Sequence, residues 1–199
     1  MINNGTHRIV LTGGPGGGKT TAADLIRREI GDSIIVVPEA ATMLFCGGFP
    51  RVTELEAVKA TQKAIFHVQR NIEDIQHSRY PGRVLLCDRG TIDGAVYWPD
   101  EKSSFLEGMG TNFEEEFKRY DAVIFFETAA MGDMSIEGGN PSRIEDNKKA
   151  IELDKKLKDT WSKHPRFYHI PHQKSFMGKL RNALDVFQLV LDDLNNSSS

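Results

Sequence analysis

Five short runs of Val, Ile, Leu and Phe recur along the chain, and longer segments with apolar residues at helical spacing lie between them. The runs occupy residues 8–12, 33–37, 83–87, 122–126 and 166–170. They are compact and almost continuously apolar, which is typical of strands covered on both faces of a sheet. Their alternation with amphipathic helices predicts an α/β fold, a three-layer sandwich around a mostly parallel five-stranded sheet.

Several helix ends can be recognised from capping residues. Gly31 follows an amphipathic segment in the manner of a helix C-terminus. Thr53 with Glu56, and Ser142 with Glu145, fit the capping-box pattern that opens a helix. The predicted helices cover residues 20–30, 53 to about 78, 142 to about 161, and 175–194.

Two of these helices carry an apolar stripe, which predicts the face that each turns towards the core. The stripe of the long helix after the second strand consists of Leu55, Val58, Ile65, Val68, Ile72 and Ile75. The stripe of the last helix consists of Phe176, Leu180, Leu184, Phe187, Leu191 and Leu194. We expect the last stripe to pack on the sheet rather than to bind a partner.

Glycine-rich segments bounded by proline interrupt the alternation at residues 46–51 and 129–141. Loops of this kind are either active-site lids or weakly ordered connectors, and their positions after the second and fourth strands favour lids. No internal repeat or long linker divides the chain, so we expect one domain over residues 1–194, with a lid at about 129–150. The Asn- and Ser-rich end at 195–199 is expected to be a disordered tail.

Composition and charge narrow the class of protein. Of the 199 residues, 39% are hydrophobic and 27% are charged, and the net charge is −3. This balance predicts no basic surface for nucleic acid or an anionic membrane, and no apolar stretch is long enough to span a bilayer. Two cysteines are too few for a disulfide framework in a chain of this length. We therefore expect a cytoplasmic protein, and the sequence carries no signal for its oligomeric state.

The segment GGPGGGKTT carries the most specific chemistry. Gly13, Gly18, Lys19 and Thr20 fit the pattern G-x-x-x-x-G-K-[ST] between a predicted strand and a predicted helix. Backbone amides of such a loop bind phosphate groups together with the helix N-terminus, and side chains in place of the glycines would block that approach. Lys19 would reach the β- and γ-phosphates, and the Thr20 hydroxyl would bind Mg²⁺. A glycine-rich turn capped by Thr20 is the non-functional alternative. The predicted nucleotide-binding residues are Gly13, Gly14, Pro15, Gly16, Gly17, Gly18, Lys19, Thr20 and Thr21.

Three further residues are predicted at the carboxyl edge of the sheet, where ligands bind in open α/β folds. Asp88 ends the run VLLCD and could hold Mg²⁺, or it could be a strand-ending acid in a turn. Arg89 could neutralise charge on a transferred phosphoryl group. Glu39, in VVPEAA, could take a proton from an attacking hydroxyl, or it could stabilise a helix N-terminus.

The segments RIVLTGGPGGGKTT, VVPEAA, DRGTIDGAVY and SRIE together resemble the P-loop kinase-like, AAA-type ATP-binding domain of NadR-type nicotinamide riboside kinases. A eukaryotic GTP-binding family named for a defect in TRPL translocation shares this domain, and the deoxynucleoside kinases are its cousins. The resemblance spans about residues 7–170. It implies a P-loop NTPase fold with strand order 2-3-1-4-5 and a helical lid, with ATP (or GTP) and Mg²⁺ as ligands.

The resemblance also implies roles for individual residues. VVPEAA is similar to the kinase segment whose glutamate acts as the base, which favours Glu39 in that role. Asp93 and Tyr97 match recurring positions that would contact the acceptor, with exposed helix surface as the alternative. Arg143, in SRIE, resembles the lid arginine that reaches the nucleotide phosphates. The implied catalytic residues are Lys19, Glu39, Asp88, Arg89 and Arg143, and the implied acceptor contacts are Glu39, Arg89, Asp93 and Tyr97.

These observations favour an ATP- and Mg²⁺-dependent phosphotransferase that acts on a hydroxyl group of a nucleoside-like or other small acceptor. Loops 45–52 and 93–113 would line the acceptor pocket. The alternative is a regulatory ATP- or GTP-binding switch without a small-molecule acceptor. The nearest match to a guanine-reading N-K-x-D signature is NKKA at 147–150, which lacks the aspartate and falls in a predicted helix. A motor-type AAA+ ATPase is a third class, but 199 residues leave no room for its usual helical lid domain.

Overall fold

The structure is a computed structural model that describes residues 6–132 and 147–197. Its strands are β1 (Arg8–Thr12), β2 (Ile34–Val37), β3 (Val84–Asp88), β4 (Ala122–Phe126) and β5 (Phe167–Ile170). They form one parallel sheet in the order β2-β3-β1-β4-β5. The predicted α/β fold and strand order are confirmed, and every strand end lies within one residue of the apolar run that predicted it.

Helices cover both faces of this sheet. They are α1 (Lys19–Ile30), α2 (Ala40–Cys46), α3 (Leu55–Arg79), α4 (Gly94–Tyr97), α5 (Lys102–Glu107), α6 (Phe113–Lys118), α7 (Asn147–Trp161) and α8 (Phe176–Ser197). Single turns of 3₁₀ helix lie at Gly31–Ser33, Thr91–Asp93 and Ala129–Gly132. Among the described helices, none has the length and apolar character needed to cross a bilayer.

The core consists of two layers, one on each side of the sheet. In β1, Ile9 and Leu11 pack with α1 and α8, whereas Val10 packs in the layer that contains Trp161 of α7. All three β1 side chains are fully buried. Burial on both faces explains why the strands are continuously apolar, and it leaves the carboxyl edge of the sheet to the loops.

The predicted stripe of α8 packs on the sheet, as expected. Leu180, Phe187 and Leu194 are buried in the layer shared with α1. Phe176, at the start of the helix, is the exception and is 47% exposed. The ring of Phe176 is therefore the one member of the stripe left at the surface.

The apolar stripe predicted for α3 is only partly buried, and of its members Ile72 packs against the core layer that contains Trp161. Leu55 and Ile75 are 51% and 52% exposed. The residues that the helix buries are Thr61, Phe66, Gln69 and Glu73. Three of these four are polar, and two of them form buried hydrogen bonds, Gln69 with the Ala40 amide and Glu73 with the Tyr120 hydroxyl. Apolar periodicity therefore did not identify this face.

Two predicted helix boundaries also differ from the structure. The helix α3 begins after Glu54, and no side chain caps its first turn, so the capping box of Thr53 and Glu56 is not formed. The helix α8 continues to Ser197, so residues 195–197 are helical where a disordered tail was expected. Both errors concern the ends of helices, where a few residues decide the boundary.

Part of the expected lid cannot be compared with the structure. Of the segment 129–150, residues 133–146 lie outside the described residues. Arg143 and the second capping box, Ser142 with Glu145, fall within that gap. The remainder of the expected lid is the 3₁₀ turn after β4 and the first turn of α7.

Candidate functional site

The glycine-rich loop joins β1 to α1 at the carboxyl edge of the sheet. Gly16 and Gly18 have φ angles of 74° and 87°, a conformation that side chains disfavour. Gly18 is the N-cap of α1. The amides of Gly16 and Gly18 donate to no other described residue. They are therefore available to an anion at the positive end of the helix dipole.

The other glycines of the loop are needed for packing. A Cβ atom on Gly13 or Gly17 would lie 2.0 or 2.8 Å from the carbonyl oxygen of Phe126 in β4. On Gly14 it would lie 2.7 Å from Oδ1 of Asp154, which accepts a hydrogen bond from the Gly14 amide at 2.8 Å. From the sequence, every glycine of the loop was expected to make room for a phosphate group. The close contact of the loop with β4 and α7 was not predicted.

Lys19 and Thr20 start α1 and differ in their surroundings. Lys19 is 2% exposed, and its Nζ donates to the carbonyl oxygens of Gly13 and Gly14, each at 2.9 Å. Thr20 is exposed, and its Oγ1 donates to Oδ2 of Asp88 at 2.6 Å. The hydroxyl and the carboxylate that were predicted to hold Mg²⁺ therefore lie side by side. Thr21 is also exposed in this first turn.

The surroundings of Asp88 suit a metal ligand. Burial raises the pKa of Asp88, and nearby Glu39 raises it further, while Lys19 and the Thr20 hydroxyl act in the opposite direction. Hydroxyl and carboxylate oxygens are the ligands that Mg²⁺ prefers, usually with substrate phosphates in the same shell. In the described part of the chain, no group of three or more His, Cys, Asp and Glu side chains could hold a metal alone. Phosphate oxygens and water could complete the coordination.

Arg89 lies between the loop and the rest of the site. Its φ of 77° makes it the one described non-glycine residue with positive φ, a conformation that costs about 1–3 kcal/mol. Nε donates to Oε1 of Glu39 at 2.7 Å, and Nη1 donates to Oδ2 of Asp93 at 2.8 Å and to the carbonyl oxygen of Gly13 at 3.3 Å. Although burial opposes the charge, Tyr97 and the two carboxylates raise the pKa of Arg89 well above its ordinary value.

Glu39 is the N-cap of α2, and both of its oxygens are oriented by neighbours. Oε1 accepts the hydrogen bond from Arg89, and Oε2 accepts one from Oγ1 of Thr42 at 2.6 Å. No side-chain hydrogen bond caps this helix, so the Glu39 carboxylate does not accept a bond from the amides of the first turn. Its carboxylate is directed at Arg89 instead.

Asp93 is buried among hydrogen-bond donors and is not an exposed helix residue. Its Oδ1 accepts hydrogen bonds from Thr12 Oγ1 at 2.9 Å and from Trp161 Nε1 at 2.6 Å, in addition to the bond from Arg89 on Oδ2. It is 4% exposed. The alternative of exposed helix surface is wrong for Asp93, and these donors make it suited to holding Arg89 in place.

A cavity of about 200 Å³ lies beside the glycine-rich loop. The four residues predicted to contact an acceptor all line it, together with Pro15. The predicted loops contribute in part, through Phe45, Arg51, Asp93, Gly94 and Tyr97. The helix α3 contributes a wall that the sequence analysis missed, made of Gln62, Ile65, Phe66 and Gln69.

A buried hydrogen-bond chain joins the loops after β2 and β3. The Ala40 amide donates to Oε1 of Gln69 at 3.1 Å, and Nε2 of Gln69 donates to Oε1 of Glu73 at 3.1 Å. The Tyr120 hydroxyl donates to the same Glu73 oxygen at 2.9 Å and accepts from the Thr91 amide at 2.8 Å. Gln62, Gln69 and Glu73 recur at helical spacing on α3, which is a polar stripe that could have identified this face.

Glu73 is the charged centre of this chain. It is fully buried, and burial raises its pKa against the effect of Arg119, whose Nη2 donates to Oε2 at 3.2 Å. A buried carboxylate with these partners restricts its neighbours to one arrangement of hydrogen bonds. The main-chain segments next to Glu39 and Arg89 are thereby linked through the interior as well as through their own ion pair.

A family model described as an AAA domain matches residues 8–176. The chain belongs to this AAA-domain family. The match extends from β1 to the first residue of α8, so it includes the glycine-rich loop and the cavity. Together with the P-loop pattern it identifies a nucleotide-binding domain of the P-loop class. Among curated proteins, no sequence matches this chain.

The AAA-domain chain also resembles a solved structure, the crystal structure of NadR protein in complex with NR. The TM-score is 0.65 at 14% sequence identity, and the alignment covers 94% of this chain and 50% of that one. At this identity the likeness concerns the fold. This AAA-domain chain spans half the length of the NadR chain that it matches.

Replacing Gly17 with alanine is expected to destabilise the AAA-domain protein in the absence of nucleotide. The new Cβ would lie 2.8 Å from the Phe126 carbonyl oxygen, and overpacking of this kind costs about 1–3 kcal/mol. Urea denaturation measures the free energy of unfolding. Gly178→Ala is the control, because its Cβ would meet the end of the Gln173 side chain at 3.0 Å and alanine favours the helix. Wild-type stability of Gly17→Ala, with only nucleotide binding weakened, would contradict the packing role.

Proposed function

We propose that the protein is an ATP- and Mg²⁺-dependent phosphotransferase that acts on a hydroxyl group of a small, nucleoside-like acceptor. The observation that carries this proposal is the place of Arg89. Its guanidinium contacts Gly13 of the phosphate-binding loop and Glu39 of the neighbouring cavity. A donor phosphate in the loop and an acceptor in the cavity would therefore meet at this side chain.

The orientation of the donor follows from the two ends of the loop. Pro15 borders the acceptor cavity, so the transferred phosphate would face that side. The nucleoside would leave at the other end, next to Gly18, where the ring of Phe176 approaches within 3.0 Å of the position of a Cβ atom. The exposed ring of Phe176 is suited to stacking on the nucleobase.

The acceptor hydroxyl would be activated by Glu39. Asp88 is the other candidate base, but it does not line the cavity and its oxygen is engaged by Thr20. Glu39 lines the cavity and is held by Arg89 and Thr42. A carboxylate within reach of the attacking hydroxyl satisfies the first requirement of a general base, which is geometric.

The remaining groups would stabilise charge on the phosphates. Lys19 donates to loop carbonyl oxygens and can exchange these for phosphate oxygens. Nη2 of Arg89 forms no hydrogen bond with any described residue and can donate to the transferred group. Mg²⁺ at Thr20 and Asp88 would neutralise phosphate charge. Arg143 is proposed as a further cation from the lid.

The alternative is a nucleotide-dependent switch. NKKA at 147–150 forms the first turn of α7 and lacks the aspartate of the N-K-x-D pattern, so it does not match a guanine-reading signature. The cavity beside Glu39 and Arg89 favours a kinase, because a switch requires no acceptor site.

We also propose that the protein works in a reducing compartment such as the cytoplasm, since Cys46 and Cys87 are both free thiols.

The kinase proposal is tested by an ADP-release screen over nucleosides, ribosides and other small alcohols, with ATP or GTP as donor. We expect acceptor-dependent ADP release by the wild-type protein and none by Lys19→Ala, because the ammonium group of Lys19 would bind the transferred phosphate. Tight binding of GTP with no phosphorylated acceptor would support the switch instead.

Glu39→Gln is expected to lower the acceptor-dependent rate by about 10²–10⁴-fold while the Kd of ATP stays unchanged. The reason is that the amide keeps the shape of the side chain but cannot accept the proton. Steady-state kinetics and calorimetry measure the two quantities. Glu29→Gln, at an exposed position of α1, is the control. A fully active Glu39→Gln protein with wild-type stability would remove the base assignment.

Phe176→Ala is expected to weaken ATP binding by about 1–3 kcal/mol, the usual contribution of one base-stacking ring. Binding of magnesium tripolyphosphate, which has no base, is expected to stay unchanged. Calorimetric titration of both ligands makes the comparison, with Met177→Ala as control because Met177 is 70% exposed on the same turn. Equal weakening of both ligands would show that Phe176 supports the loop rather than the base.

A further inference from the structure

The cavity has two ends of different charge. At the inner end, the guanidinium of Arg89 lies between the carboxylates of Glu39 and Asp93, at 2.7 and 2.8 Å. Both carboxylates that line the cavity are therefore paired with one cation. The inner end therefore carries no positive charge in excess of its carboxylates.

The outer end carries a different cation. Arg51 lines the cavity, and its Cζ lies 4.2 Å from the centroid of the Phe45 ring. Arg51 forms no hydrogen bond or ion pair with any described residue. The planar guanidinium thus lies against an aromatic face, and its five N–H donors form no hydrogen bond with the described residues.

Much of the remaining lining of the cavity is apolar. Phe45, Ile65 and Phe66 contribute side chains to it, and Gln62 adds an amide that has no hydrogen bond to a described residue. Flat apolar walls favour a ring, and polar groups at defined points set its orientation. The acceptor would place its hydroxyl at Glu39, its ring along this wall and its far substituent at Arg51.

We propose that the acceptor carries an anionic substituent, a carboxylate or a phosphate, at the end opposite the phosphorylated hydroxyl, and that Arg51 binds this group. This inference rests on the proposed kinase function and narrows its substrate class. Arginine is suited to the role because its fork of donors matches carboxylate and phosphate oxygens in a bidentate manner. A neutral carboxamide in the same place would accept fewer hydrogen bonds from Arg51 and would have no ionic attraction to it.

The test uses three ribosides of one aromatic ring that differ in a single substituent: carboxylate, phosphonate or carboxamide. ADP release gives kcat and KM for each with the wild-type protein. We expect kcat/KM for at least one anionic riboside to exceed that for the carboxamide by about ten- to hundredfold, mainly through KM. The two anionic arms distinguish carboxylate from phosphate recognition, and the preference should fall with added salt because Arg51 is exposed.

Variants of Arg51 then assign the preference to this side chain. Arg51→Gln is expected to remove the preference for the anion, and Arg51→Lys to retain part of it. Arg79→Gln is the matched control, because Arg79 is also exposed and its guanidinium lies 5.2 Å from the ring of Tyr80, away from the cavity. Equal use of charged and neutral ribosides, or a preference that persists in Arg51→Gln, would overturn the inference.

Failure of the kinase proposal is recognised separately. If no riboside releases ADP above the Lys19→Ala background, calorimetry with the carboxylate, phosphonate and carboxamide ribosides replaces turnover. Binding of an anionic riboside that is lost in Arg51→Gln and kept in Arg79→Gln would support the anion site without kinase activity. Absence of any difference between the charged and neutral ribosides would overturn it.

Discussion

The strained backbone at Arg89 is the constraint on which the candidate site depends. A left-handed conformation at a bulky residue persists only where the surroundings determine it. Here the Arg89 amide donates to the Leu11 carbonyl at 3.0 Å, and the guanidinium is bound by Glu39, Asp93 and the Gly13 carbonyl. One side chain thus connects strands β1, β2 and β3 through the loops that follow them, and it sets where a donor and an acceptor could meet.

A second connection between the loops after β2 and β3 runs through the protein interior and uses both neutral and charged side chains. Gln69, Glu73 and Tyr120 link the main chain beside Glu39 to the main chain beside Arg89 by buried hydrogen bonds. Buried polar groups are costly when one partner is missing, so such a chain tolerates few other arrangements. The polar face of α3 follows from this requirement, and it explains why the helix leaves apolar residues at the surface.

The glycine-rich loop serves the core as well as the ligand. Gly13, Gly14 and Gly17 allow the loop to contact the end of β4 and the start of α7, while Gly16 and Gly18 supply the left-handed turns. Asp154 completes this support by accepting hydrogen bonds from the amides of Gly14 and Thr128. The loop is therefore held in place by β4 and α7, and the amides that remain available to a ligand lie at the start of α1.

The sequence by itself determined the strands, their burial on both faces and the phosphate-binding loop, because these features rest on local residue types and spacing. Their places after the strands also marked Glu39, Asp88 and Arg89 as candidates. Resemblance to known kinases added the strand order, Asp93, Tyr97 and Arg143. Only the tertiary structure decided which groups meet there: the partners of Arg89, the donors around Asp93, the polar wall of α3 and the contact of Arg51 with Phe45. Those contacts join residues up to 81 positions apart, as between Thr12 and Asp93. Local periodicity carries no information about them, since hydrogen-bond partners are chosen by the packing of whole layers.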